Sequence, residues 1–362
     1  ANGNANAAQR RAGGEEEDES VSFLKNLIEP DENGKRPLAD VVDVTESAES
    51  VGANDESTLT AVLDNAEKAD DLKVVIAAAE KAESKDKDTL GAVLRNAEQG
   101  DKLAAVVATA EKADVDSGSG AKKAKLGALF DVVQKVDDAK ETAKTAAPDA
   151  TGAVNVTDVF DNIEAVVELA ETAADGGADE TAKLALLDNV LKVAGKATEL
   201  NKVVQAAKVA QGTAGDVDTK TKNASALGSI LSLASNADRV DDLFSVVGDP
   251  PTGEGDQEAA NSKLTALLDV VTAVDKAEGS SAETDNVFKN IGSVVNLTVA
   301  AAGGDADDRG KALASVLATS KNDNAAAALE AAEDLVKDAG GNAEALNSVL
   351  QHTDKAASLK TV

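Results

Sequence analysis

Leu59-Thr-Ala-Val-Leu-Asp-Asn-Ala-Glu-Lys-Ala-Asp-Asp-Leu72 returns 31 residues later as Leu90-Gly-Ala-Val-Leu-Arg-Asn-Ala-Glu-Gln-Gly-Asp-Lys-Leu103. Between 59–82 and 90–113, 15 of 24 aligned positions are identical. A period of this length points to a stacked array. One such unit cannot bury its apolar face alone, and its neighbours complete the core.

Each unit reads as two helices. Leu59, Val62, Leu63 and Ala66 share one face of a 3.6-residue helix, and Leu72, Val75, Ile76 and Ala79 share one face of the next. The register returns at Leu187, Val190, Leu191 and Ala194, then at Leu200, Val203, Val204 and Ala207. Related starts fall at Leu38, Leu90, Leu126, Phe160, Leu227, Leu264, Phe288, Leu313 and Leu346. Their uneven spacing makes the repeat degenerate. Val-Val pairs recur every three or four residues and not every second one, which argues against strands.

The expected fold is therefore all-α: an α-solenoid of roughly eight to ten degenerate helical hairpins with an extended N-terminal arm. The chain resembles α-solenoid repeat proteins in general. It lacks the Trp/Gly/Tyr pattern of tetratricopeptide repeats and the Thr-Pro-Leu-His of ankyrin repeats, so no family is assigned on motifs. Connections are rich in Gly, Asp and Ser, as at Asp116-Ser-Gly-Ser-Gly120, Asp175-Gly-Gly177, Gly248-Asp-Pro-Pro-Thr-Gly-Glu-Gly255 and Gly303-Gly-Asp305. The expected organisation is an arm over 1–20, a capping or docking helix over 21–37, and an array over 38–362. Pro250 and Pro251 mark a bend near 248–256.

Residues 1–20 combine Asn, Ala, Gly and Arg with the acidic run Glu15-Glu-Glu-Asp-Glu19, the composition of a non-globular arm. Next, Val21, Leu24, Leu27 and Ile28 fall on one helical face with Phe23 beside it; Ser20 is placed to cap and Pro30 to stop the helix. Such a helix either covers the first repeat or docks on a partner. At the other end, the last unit stops before its second helix is complete, leaving Val349, Leu350 and Leu359 where a soluble array would carry a polar cap. A frayed natural terminus and an open end for head-to-tail stacking both account for those residues. Val21, Phe23, Leu24, Leu27, Ile28, Val349, Leu350 and Leu359 are the candidate subunit-interface residues.

Little here carries chemistry. With no Cys, disulfides and thiolate catalysis are excluded, and His352 is the single histidine. The carboxylates follow polar helix faces near lysines, as Glu80 does with Lys81 and Lys85, which reads as solvated charge. Asp114-x-Asp116-x-Gly118 and Asp305-x-Asp307-Asp308 faintly suggest calcium loops without the spacing of an EF-hand. No Walker A loop occurs, and the three Asn-x-Ser/Thr sequences at Asn155, Asn223 and Asn296 are expected by chance. No catalytic residue, resident cofactor or metal is expected, although loose binding of divalent cations such as Ca²⁺ is.

Composition narrows the partners. A net charge of −30, from 66 acidic and 36 basic residues, repels phosphate backbones, so nucleic acid is not an expected partner. Five Phe and no Trp or Tyr leave no aromatic anchors for an interface. No apolar run reaches the length of a membrane span. A sequence without Met that begins Ala1-Asn2-Gly3 reads as processed, by loss of the initiator or of a signal peptide, and export is the expectation. The expected function is structural and not enzymatic: an exported subunit that polymerises into an extracellular or cell-surface filament. Its arm would contact a neighbouring subunit, with possible cell-surface or matrix contact. The alternatives are a scaffold that binds a peptide or protein on its concave face, or an amphipathic coat for lipid or granules.

Overall fold

The structure, a computed structural model, describes residues 37–117, 119–145, 154–211, 217–248, 254–277, 280–301, 306–322, 325–338 and 348–355. Among the described residues every regular element is helical and none is a strand. The chain divides into two compact units, Ala1–Ala150 and Thr151–Val362.

The described part of the first unit holds α1 (Pro37–Val51), α2 (Glu56–Asp64), α3 (Ala69–Lys81), α4 (Lys87–Arg95), α5 (Gly100–Ser117) and α6 (Ser119–Thr145). Helices pack on the helix two places along: α1 on α3 and α3 on α5 in one row, α2 on α4 and α4 on α6 in the other. The local reasons repeat with the sequence. Asp55 sits in extended backbone and accepts from the Thr58 amide at 3.0 Å; Asp86 does the same for Thr89 at 2.9 Å. These are N-caps, each satisfying one of the donors a helix start leaves open.

Ten residues after each cap an asparagine stops the helix. The Nδ2 groups of Asn65 and Asn96 donate to the carbonyls of Ala61 and Ala92, at 2.9 and 2.8 Å. In the second repeat the Ala92 carbonyl also accepts from the Asn96 amide at 3.2 Å, and in both repeats the chain then passes through the short 3-10 turns Ala66–Lys68 and Ala97–Gln99. The next helix then buries its aliphatic face, with Leu72, Val75 and Ala79 in α3 matched by Leu103, Val106 and Ala110 in α5. Each buried Val or Leu contributes roughly 1.5–3 kcal/mol.

The second unit contains α7 (Val156–Asp161), α8 (Ile163–Gly176), α9 (Glu180–Lys192), α10 (Ala197–Gln211), α11 (Val217–Leu233), α12 (Ala237–Val247), α13 (Glu254–Lys276), α14 (Ser281–Lys289), α15 (Ile291–Ala301), α16 (Ala306–Ser320) and α17 (Ala325–Asp338). The same devices recur. Asp179, Asn236 and Ser280 cap α9, α12 and α14, and the Nδ2 groups of Asn162 and Asn290 donate to carbonyls four residues back. Helices α8, α11, α13, α15 and α17 pack successively, with α10 and α12 beside them. A tight backbone approach joins α8 to α11: a Cβ added to Gly228 would lie 2.7 Å from the Gly176 carbonyl oxygen.

The all-α expectation holds among the described residues, and most helical faces fall where the periodicity puts them, with Leu63 of the first full repeat an exception at 42% exposed. Two details differ. The division into units falls between Ala150 and Thr151, whereas α12 and α13, which flank Pro250 and Pro251 in sequence, both pack on α10 within one unit; the two prolines lie outside the described residues. The glycine-rich stretch at 116–120 is not a broad loop either, because α5 runs to Ser117 and α6 begins at Ser119.

Candidate interaction surface

No cluster of three metal-ligating side chains occurs among the described residues. Asp114 and Asp116 lie in the last turn of α5, where a helical backbone does not curl around an ion, and Asp305 is outside the described residues. His352 is exposed, its Nδ1 2.9 Å from the Ser348 carbonyl. Two of the Asn-x-Thr sequences are taken up by helices. Asn155 caps α7, while within α15 Asn296 donates to Glu333 and the Thr298 hydroxyl to the Val294 carbonyl.

The charged side chains are arranged between repeats more than along helices. Lys73 reaches back to Asp40 and Asp43 at 2.8 and 2.7 Å, Lys68 forward to Asp101 at 3.1 Å, and Lys81 to Glu111 at 2.7 Å. Arg95 grips Asp137 with two nitrogens, Nε at 2.9 Å and Nη2 at 2.7 Å. The expected pairing along a single helix is thus only part of the picture: Lys85 pairs with Glu80 across a turn, but Lys81 joins the following repeat. Hydrogen bonds from Lys68 and Lys81 hold the Asp101 and Glu111 carboxyls below their ordinary range, and those that Lys73 donates to Asp40 and Asp43 raise its own pKa. Exposed pairs of this kind contribute about 0–1 kcal/mol each, so their effect is to set the register between neighbours.

Arg239 is the exception, because it is buried. Its Nε donates to Asp285 at 2.8 Å, its Nη1 to the Leu233 carbonyl and the Ser235 hydroxyl, and its guanidinium lies 5.5 Å from the Phe288 ring centre. It ties α12 to α14.

Comparing the two near-identical repeats exposes an edge without a neighbour among the described residues. In α4, Leu90, Gly91 and Leu94 are all buried, and Leu94 is 1% exposed. Their counterparts in α2 are Leu59, half-buried, Thr60, exposed, and Leu63, 42% exposed. Since α4 has α2 on one side and α6 on the other, while α2 packs on α4 alone in its row, the difference marks the face of α2 that points away from α4.

Helix α1 has a second open flank. Asp40 and Asp43 turn toward Lys73 of α3. Leu38 and Val42, one turn apart on the opposite flank, are 40% and 44% exposed. Val42 is the counterpart, 31 residues back, of Lys73 itself, the residue with which α3 reaches its preceding neighbour. The position that binds backward in α3 is therefore apolar and uncovered in α1.

Of the candidate interface residues read from sequence, Val21, Phe23, Leu24, Leu27, Ile28 and Leu359 lie outside the described residues. Val349 is half-buried and Leu350 is buried within its own chain, so Leu350 presents no apolar surface. Leu38, Val42 and Leu63 were not singled out. They carry the same pattern as core residues, and only their place at the end of a row exposes them. Comparison with protein-family models, with curated proteins and with solved structures finds no match.

Proposed function

We propose that this chain is a structural subunit, an α-solenoid of helical hairpins that assembles head to tail with copies of itself. The observation that supports this reading is the outer flank of α1, where Leu38 and Val42 stand exposed at the position from which α3 binds its predecessor. A repeat array that ends in solution carries a polar cap, and an apolar end is completed by another unit. A contact between two different ends is heterologous, and unless its rotation closes a ring it extends as a filament. Val349 at the other end of the described chain belongs to the complementary surface; the arm expected over residues 1–20, which would contact the neighbouring subunit, lies outside the described residues.

We place the assembly outside the cell or at its surface, where millimolar divalent cations screen the repulsion between subunits of net charge −30. The test is negative-stain electron microscopy of the purified protein with and without millimolar Ca²⁺, beside a Leu38→Glu/Val42→Glu variant. Filaments from the native chain that vanish in the variant, at an unchanged melting temperature, are the expected result. Monodisperse particles under both conditions would remove the filament and leave the scaffold that binds a peptide or protein on its concave face.

A further inference from the structure

Chance accounts for three Asn-x-Ser/Thr tripeptides in a chain of this composition, but the fold treats the three differently. On a folded chain, such a tripeptide accepts an oligosaccharide where the Asn Nδ2 and the hydroxyl two residues on can both enter the transferase, and where the backbone between them can leave a helix. Asn296-Leu-Thr298 meets neither condition. It lies midway along α15, its Nδ2 donates to Glu333 of α17 at 2.9 Å, and Leu297 and Thr298 are buried. The Thr298 hydroxyl donates to the Val294 carbonyl at 2.8 Å. Asn223-Ala-Ser225 falls inside α11, whose backbone is helical from Val217 to Leu233.

Asn155-Val-Thr157 is placed otherwise. Asn155 and Thr157 are both exposed, and Asn155 stands in extended backbone, with φ −83° and ψ 101°, before the chain turns into α7. Val159 and Phe160 bury the later part of α7 and leave its first turn facing outward. Helix α7 has six residues, too few to hold its shape without that burial, so its first turn opens at little cost. The Oδ1 of Asn155 accepts from the Thr157 amide at 3.1 Å, which brings the carboxamide and the Thr157 residue together. That bond also survives modification. Glycosylation replaces one hydrogen on Nδ2 and leaves the carbonyl oxygen untouched, so the cap on α7 persists beneath a sugar.

We propose that Asn155 is the acceptor of an N-linked glycan, the donor being an oligosaccharide joined to a polyprenyl diphosphate. The bond from Nδ2 to the sugar C1 forms as the bond from C1 to the diphosphate oxygen breaks. The polyprenyl diphosphate leaves with that electron pair, and one Nδ2 proton goes to a base of the transferase. Thr157 supplies the hydroxyl that the enzyme reads, and Val156, unlike a proline, lets the backbone bend between the two. In the cell this transfer rests on the export reading, because the transferase faces a secretory lumen or the outer side of a membrane; the chemistry at Asn155 does not.

The test is therefore made outside the cell. The folded full-length chain is incubated with a purified oligosaccharyltransferase and its polyprenyl-linked donor, beside an unrelated acceptor peptide as the control. Intact mass and peptide mapping then locate the product. The expected result is one glycan, on Asn155, at an occupancy at least about tenfold that of Asn296, which is reached only by opening α15. Thr157→Ala should abolish it while keeping the cap, since the capping bond comes from the backbone amide, and Asn296→Gln should leave it unchanged. A chain that stays unmodified while the control peptide is glycosylated would overturn the proposal. So would transfer to Asn223 or Asn296 at an equal or higher level, or a Thr157→Ala chain modified as fully as the native one. The assay needs no export, so a chain that accepts sugar at Asn155 yet proves intracellular would sink the export reading alone.

Discussion

Glu83 occupies the backbone position that Gly52 occupies one repeat earlier, with φ of 59° against 75°. In both, the following amide closes the helix end, Ser84 onto the Ala79 carbonyl at 2.9 Å and Ala53 onto Ala48 at 2.8 Å. A left-handed residue at this point is the natural place for glycine, and a side chain there is strained. Glu83→Gly should raise the midpoint of urea unfolding, although it removes the exposed pair with Lys123. Gly52→Ala should lower stability by about 1 kcal/mol. Opposite signs in the two variants are the expected outcome; a loss in both would show that the Lys123 contact outweighs the backbone.

Gly228→Ala should be costly for a different reason. The new Cβ would meet the Gly176 carbonyl oxygen at 2.7 Å, and a backbone atom within a helix cannot step aside. Separating α8 from α11 should cost about 1–3 kcal/mol. Gly127 in α6 is the control, since nothing lies within 4 Å of its added Cβ. Gly127→Ala should stabilise by roughly 0.5–1 kcal/mol through helix propensity alone. Thermal unfolding of both variants separates sterics from propensity.

Arg239→Lys keeps the charge and loses the geometry. A lysine cannot serve Asp285, the Leu233 carbonyl and the Ser235 hydroxyl together while lying over Phe288. With those acceptors left short of a donor in a buried site, stability should fall by about 2–4 kcal/mol. Equilibrium denaturation that puts the loss below half a kilocalorie per mole would mean that water replaces the guanidinium.

Two classes of carboxylate should respond to pH in opposite directions. Asp55, held low chiefly by the Ser57 hydroxyl, and Asp101 and Glu111, held low by lysines, titrate in the folded chain below their unfolded values. Their contribution is complete above the ordinary carboxylate range and fades as pH drops through the lowered folded values. Asp242 is raised, first by burial and then by Asp238 and Asp241, so ionising it opposes folding above its unfolded value and the penalty disappears on acidification. Asp242→Asn should therefore stabilise at pH 7 and lose its advantage in acid. Melting curves for the variant and the native chain across that range check the crossover.

Much of the local structure was legible in the chain. The 3.6-residue spacing marks Leu72, Val75 and Ala79 as one face because burial needs an apolar stripe, and caps such as Asp55 and Asp86 stand ahead of α2 and α4 for reasons internal to a single turn. What escaped depends on neighbours. Leu63 and Leu94 sit in almost the same words, yet one is open and the other closed, because exposure is decided by the number of adjacent repeats. Lys81 has nearby acids in sequence but joins Glu111, since a helix surface faces the next helix as well as its own preceding turn. Pro250 and Pro251 are strong local breakers, yet the helices that flank them in sequence both pack on α10, a contact that local propensity does not carry.

The matched turns at Gly52 and Glu83 also bear on inheritance. Two junctions of equal geometry, 31 residues apart, bracket a cassette whose ends are interchangeable. Copying or removing that cassette in the gene would bring each flanking helix against one of the same apolar register, although not every ion pair would re-form, since the counterpart of Lys73 is Ala104. The first unit is thus built so that a step of 31 residues leaves its apolar packing in register.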